Sequence, residues 1–224
     1  MIASYHVTRS TGLWLESSFP TRRSSDLLYE LVMDYNPSEF KGEEDSSQRP
    51  VEYVTWYDAI DFCNKLSILL GKKPYYEIKI IKYIDETQTN IEEANVETNE
   101  GANGFRLPLS EEWKYAAKAG TNNQWSGTND ESKLEEYAWF EKNSNYQTHP
   151  VATKKPNEWG FYDMSGNVEE WCYDKNNNSL LRDGRVIRGG SWYDDHKDEK
   201  ALSNSAHSIG GRFTTLGFRV AASL

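Results

Sequence analysis

Pro156-Asn-Glu-Trp-Gly-Phe-Tyr-Asp-Met-Ser-Gly-Asn-Val-Glu-Glu-Trp-Cys-Tyr-Asp174 is the stretch on which the fold of this chain turns. Its nineteen positions hold five aromatics, two glycines and several carboxylates, with neither the spacing of a helix nor the alternation of a strand. The pattern predicts a fixed loop. Gly160 and Gly166 supply backbone freedom, Trp159, Phe161 and Trp171 supply burial, and Asp163, Asn167 and Glu170 supply oxygen atoms. Such a loop can close around a hard cation such as calcium; a tight turn with solvated carboxylates would use the same residues.

Outward from that loop lie regular elements. Residues 28–33 (Leu-Tyr-Glu-Leu-Val-Met) predict a short helix, ended by Asn36-Pro37, because the residue before proline is pushed out of the helical region. Thr55 with Asp58 forms a capping box, and Ala59, Phe62, Cys63, Leu66 and Leu70 follow at helical spacing until Gly71. Residues 75–84 predict a strand, 85–102 a polar surface loop, and 105–107 a strand again. Ser110 reads as the cap of a second long helix closed by Gly120, with Trp113, Ala116 and Ala117 buried. Residues 121–148 are irregular but carry Trp125, Tyr137, Trp139 and Phe140 to pin them to the body. Val186-Ile-Arg and Gly217-Phe-Arg-Val-Ala-Ala predict strands around a loop at 193–215. Arg188 and Arg219, beside glycines and aromatics, are expected to pair with buried carboxylates or carbonyls.

Composition narrows the function classes. The 224 residues suffice for one domain with a sizeable core; 37% are hydrophobic, and 8 Trp, 14 Tyr and 8 Phe supply large burial areas. A net charge of −10 argues against nucleic acid, whose phosphates need a basic face. No apolar run is long enough to span a membrane. Two cysteines, Cys63 and Cys172, allow one disulfide at most and assign no redox compartment. Neither a phosphate-binding glycine loop nor a histidine pair at metal spacing is present.

Four stretches together resemble the sulfatase-modifying-factor family, that of the formylglycine-generating enzyme. They are the central loop, Arg49-Pro-Val-Glu-Tyr-Val-Thr-Trp-Tyr-Asp-Ala-Ile-Asp-Phe-Cys-Asn-Lys-Leu-Ser67, Asn103-Gly-Phe-Arg-Leu-Pro-Leu-Ser-Glu-Glu-Trp-Lys-Tyr-Ala-Ala-Lys-Ala-Gly120, and Arg185-Val-Ile-Arg-Gly-Gly-Ser-Trp192 with Leu216-Gly-Phe-Arg-Val-Ala221. The resemblance implies an α+β, C-type-lectin-like fold with two main helices, short antiparallel strands and many loops, over residues 28–224. Residues 1–27 match nothing in it, and 18–27 read like a translated sequencing adapter. They are expected to be non-native, the domain being truncated at its N-terminus and any export or surface-targeting signal or preceding catalytic domain lost with it. The compartment is therefore left open.

The resemblance also implies chemistry. Active members hold copper through two cysteines after Gly-Gly-Ser, and soft thiolates suit Cu(I). Here that segment reads Gly189-Gly-Ser-Trp-Tyr-Asp-Asp-His-Lys-Asp-Glu-Lys200, with carboxylates near the expected positions, so copper is not expected. Its acidic cluster suits a divalent ion or plain solvation. Relatives bind calcium at positions that here are Asp163, Gly166, Val168 and Glu170, which implies a structural calcium. Two functions stay open. In the first, the domain is a non-catalytic module binding a protein, peptide or small molecule, with Trp192, Tyr193, Asp194, His196, Glu199, Asn204 and Arg212 on the 192–215 face beside His207. In the second, it is an oxidoreductase or a fragment of one, of the formylglycine-generating or iron-dependent sulfoxide synthase type, with its catalytic parts lost or divergent. A third possibility is an accessory domain of a kinase or protease.

Overall fold

The computed structural model describes residues 13–14, 25–42, 44–84, 91–176, 183–195 and 205–222. Helix α1 (Asp26–Met33) is capped by the Ser25 hydroxyl, which accepts the Leu28 N–H, and ends on Asp34 in the left-handed region at φ 66°. Helix α2 (Trp56–Leu69) starts on the expected capping box: Thr55 Oγ1 accepts the Asp58 amide at 3.0 Å and Asp58 Oδ2 accepts the Thr55 amide at 2.8 Å. Its inward face is Ala59, Phe62, Cys63 and Leu66, while Leu70, expected on that face, is the exposed C-cap.

Helix α3 (Ser110–Lys118) begins one residue earlier than its sequence implies. Leu109 is the cap position, and Glu112 Oε2 accepts its amide at 2.8 Å. Ser110 is already helical, and its hydroxyl accepts two bonds from Arg188, through Nε at 3.0 Å and Nη2 at 2.6 Å. The helix stops at Ala119 and Gly120, both at positive φ.

Three small sheets complete the fold. Strand β1 (Leu13–Trp14) and β4 (Phe105–Arg106) flank β9 (Ala221–Ala222). Strand β2 (Tyr76–Tyr83) pairs antiparallel with β3 (Ile91–Thr98). The segment holding β3 had the look of a polar loop, since its Glu-rich sequence lacks an apolar alternation. It is a strand because β2 supplies the ladder and the Tyr57 hydroxyl supplies an anchor, donating to the Ala94 carbonyl and accepting the Ala94 amide. The third sheet runs β7-β6-β5-β8, from β7 (Ser205–Ser208), β6 (Gly184–Arg188), β5 (Glu169–Lys175) and β8 (Leu216–Phe218). The strands pair antiparallel, as expected, except that β5 and β8 run parallel, with Glu170 opposite Gly217.

The main core packs α1 and α2 onto this sheet. Tyr29 stacks on Phe62 at 5.4 Å, and Phe62 meets Phe218 edge-on at 5.1 Å. A second cluster gathers Trp113, Ala116, Ala117, Met164 and Cys172 under α3. The 121–148 stretch carries a third, of Trp125, Leu134, Ala138 and Phe140, as its aromatics implied. Ser25 bridges to Pro50, and the Asp26 amide donates to the Arg49 carbonyl, tying the start of α1 to the 49–51 segment.

Candidate functional site

The central loop is fixed by backbone conformations that ordinary residues avoid. Asp163, Gly166 and Asn167 all sit at positive φ, where asparagine and aspartate are tolerated better than most. Asn167 joins three other segments. Its amide N–H donates to the Trp139 carbonyl, its side chain exchanges both bonds with the His149 backbone, and its carbonyl accepts the Trp192 N–H. The Gly166 amide donates to the Gly189 carbonyl, so the loop is laced to the Gly-Gly-Ser segment.

Beneath it lies a buried charge network. Glu170 has no solvent exposure; Arg219 grips it with Nε to Oε2 at 2.7 Å and Nη2 to Oε1 at 2.9 Å, and Trp113 Nε1 donates to Oε2 at 2.6 Å. Arg219 also donates to the Tyr162 carbonyl, closing the ring from β8 back to the loop. The expectation of a structural role for this arginine holds. Arg188, by contrast, takes a hydroxyl as its nearer partner, with Glu111 at 3.8 Å.

Of the four residues named for calcium, the two acids already have protein partners in this arrangement. Glu170 already has a full positive charge bonded to both oxygens, and Asp163 Oδ2 accepts the Ala152 amide at 2.9 Å. A divalent ion there would stand beside a guanidinium, which electrostatics opposes in a buried site. Among the described residues no group of three or more histidines, cysteines or acids is placed to hold a metal.

On the 192–215 face the named residues separate into pegs and exposed groups. Trp192 is only 8% exposed; its Nε1 donates to the Thr214 carbonyl at 2.9 Å, and it meets Phe40 edge-on at 5.5 Å. Asp194 accepts from the Ser191 hydroxyl and holds the Glu141 amide through its carbonyl. Arg212 reaches inward, bonding the Tyr53 carbonyl at 3.1 Å and Asp58 Oδ2 at 2.9 Å. Tyr193 stands out at 61% exposure. His196, Glu199 and Asn204 lie outside the described residues.

Two exposed aromatics join Tyr193 that the sequence did not single out. Tyr53, at φ 63°, is 43% exposed, and Phe213 is 41% exposed; the Tyr53 amide donates to the Phe213 carbonyl at 3.0 Å. Phe213 stacks on His207 at 4.3 Å, and His207 Nε2 is 3.6 Å from Glu169 Oε2. Aromatics carried on rigid loops are suited to recognition.

The cysteines offer no surface chemistry. Cys63 on α2 and Cys172 on β5 are unpaired and wholly buried, and burial pushes both thiols well above their ordinary range. No helix among the described residues is long and apolar enough to cross a membrane.

Comparison with known proteins gives a consistent result. The profile of the sulfatase-modifying factor enzyme 1-like domain matches residues 1–224. The chain is 43% identical over 187 residues to the chaperone protein LppX of Paenibacillus barcinonensis, covering 72% of this chain and 64% of that protein. It is 34% identical over 101 residues to the inactive C-alpha-formylglycine-generating enzyme 2 of Bos taurus, covering 41% of this chain and 33% of that protein. The chain thus spans less than two thirds of these curated relatives. Among solved structures, Treponema denticola variable protein 1 superposes with a TM-score of 0.83 at 38% identity, covering 91% of this chain and 83% of the other.

Proposed function

The chain belongs to the sulfatase-modifying factor family, and from that membership we propose that it is a non-catalytic module binding a protein or peptide on the face around residues 192–215. The observation that carries this reading is the contrast between its thiols and its exposed rings. Copper-dependent oxidation needs accessible thiolates, and both cysteines of the chain are sealed in the core on separate elements. Tyr193, Tyr53 and Phe213 meanwhile expose aromatic surface from backbone that the core and the Asp58–Arg212 pair hold still. Similarity to proteins described as a chaperone, as an inactive formylglycine-generating enzyme and as a variable protein supports binding over oxidation.

Two assays on the full chain test it. Supplied with Cu(I), air and a cysteine-bearing sulfatase-type peptide, the chain should form no aldehyde; aldehyde above the metal-only control would restore the oxidoreductase reading. Probed on an array of internal peptides, it should capture a defined subset, and Tyr193→Ala with Phe213→Ala should abolish capture while leaving the melting midpoint within a few degrees. Capture unaffected by the double variant would remove the face.

A further inference from the structure

The fold buries five arginines among its described residues: Arg49, Arg106, Arg185, Arg188 and Arg219. Four of them meet a carboxylate: Asp45 at 2.8 Å, Glu112 at 2.7 Å, Glu111 at 3.8 Å and Glu170 at 2.7 Å respectively. Arg185, on β6, meets none. Its Nη1 donates to the Tyr173 carbonyl at 2.6 Å, and its buried Nε–H has no hydrogen-bond partner. Burial lowers its affinity for its own proton, with Asp183 opposing this only weakly. Its guanidinium carbon lies over the Trp56 ring, 3.9 Å from the centroid. A buried, unpaired charge is costly, and its retention in a fold that pairs the other four points to a partner supplied from outside.

Arg185 lines a cavity of about 820 Å³ between the β2–β3 hairpin, the start of α2 and the end of β5, within the size range of ligand sites. Three features define what would fit. The inner wall is aromatic, from Trp56, Tyr57 and Tyr173. One side is formed by residues 92–96 of β3, which pairs with β2 and is held at Ala94 by the Tyr57 hydroxyl. The exposed lining residues are mostly acidic, Glu92, Glu93 and Asp183 with Lys175, and of the acids Glu92 is already paired with Lys82 at 2.7 Å. A guanidinium on the wall of such a cavity selects a carboxylate, and the acidic rim disfavours a polyanion such as a phosphate ester. The complement is a chain with one carboxylate at its end, an apolar residue behind it and a positive charge further out.

We propose that this cavity binds the carboxyl-terminal end of a short, basic peptide, with Arg185 receiving the terminal carboxylate. The aromatic wall takes the last side chain, and Glu93 and Asp183 take a lysine or arginine upstream. The 192–215 segment contributes Ile209 to this cavity, whereas Tyr53, Tyr193 and Phe213 do not line it.

The test is calorimetric titration of the full chain with acetyl-Lys-Lys-Ala-Phe as the free acid and as the C-terminal amide. The free acid should bind saturably, and the amide about tenfold or more weakly. Arg185→Gln should erase the difference between acid and amide, and Glu93→Gln with Asp183→Asn, both exposed positions, should weaken the basic peptide but not acetyl-Ala-Ala-Ala-Phe. No saturable binding, an amide as tight as the acid, or indifference to the Glu93 and Asp183 changes would each overturn the proposal. If Arg185→Gln does not fold, the acid–amide comparison on the unaltered chain still decides. Loss of binding in Tyr193→Ala would place the peptide on the other face and overturn the assignment, whereas retention there alongside a failed array would sink only the face.

Discussion

Asp26 and Glu52 hang on one hydroxyl: Ser38 Oγ donates to Asp26 Oδ1 and accepts the Glu52 amide at 3.1 Å. Glu52 Oε1 in turn accepts the amides of Glu39 and Phe40, at 2.6 and 3.0 Å, fastening the 36–40 turn against α1. The second oxygen of each acid, Asp26 Oδ2 and Glu52 Oε2, is buried with no hydrogen-bond partner. Burial pushes Asp26 up to about 6 and Glu52 up to about 7.

The sign of the pH dependence follows. With a folded-state pKa above the unfolded value, the native state holds a proton that the unfolded chain releases at the same pH. The stabilising contribution is full below about pH 4 and is lost as pH rises through about 6 and then about 7. Going from pH 8 to pH 5 should add on the order of 4 kcal/mol from the two acids, or roughly 8–16 °C in the melting midpoint. Asp26→Asn with Glu52→Gln should flatten that rise. Subtracting the two profiles isolates the acids from His149, whose burial lowers its pKa and acts in the opposite sense. Parallel profiles would refute the assignment.

Arg219→Ala should be among the most damaging single changes in the chain. It leaves the buried Glu170 carboxylate, which also accepts from the Trp113 indole, without its counter-charge, a situation that costs about 3–5 kcal/mol. Glu170→Gln with Arg219→Met removes both charges and should recover part of the loss. Urea unfolding reads both variants, and additive losses would mean that the pair is not coupled.

Calcium should leave the melting midpoint where it stands in chelator, because Arg219 already neutralises Glu170. A midpoint that rises with calcium concentration would show that the ion enters the loop in spite of the guanidinium.

Gly217→Ala should lower stability by about 1–3 kcal/mol without touching any polar side chain. A Cβ at this position on β8 would run into the Val51 carbonyl oxygen and crowd Val168. An unchanged urea midpoint would mean that β8 can shift away from the 51–55 segment.

Local chemistry made much of this fold legible. The Thr55–Asp58 box and the helical spacing behind it lie within one segment, so α2 could be placed from that segment alone. Strand β3 could not, because what makes it a strand is β2 and the Tyr57 hydroxyl. Which side chains of the 192–215 segment are exposed was not legible for the same reason. Trp192 had the look of a surface anchor, yet Phe40 and Thr214 enclose it, and Arg212 turns inward to an aspartate already engaged in capping α2. Tyr53 and Phe213 went unnoticed because their exposure depends on a left-handed residue and a cross-chain amide bond that no local pattern announces. The unmatched charge on Arg185 was equally hidden, since its neighbours come from α2 and β5.

The parallel pairing of β5 with β8 has a consequence for synthesis. Glu170 is translated 49 residues before Arg219, and β5 before the strand that completes its sheet. At about 5–20 residues per second, a nascent chain carries that carboxylate, with the apolar face around Trp171, for seconds before its counter-ion exists. The sheet therefore closes only after Arg219 has been made, and until then the emerging strand carries an unpaired carboxylate beside an apolar face.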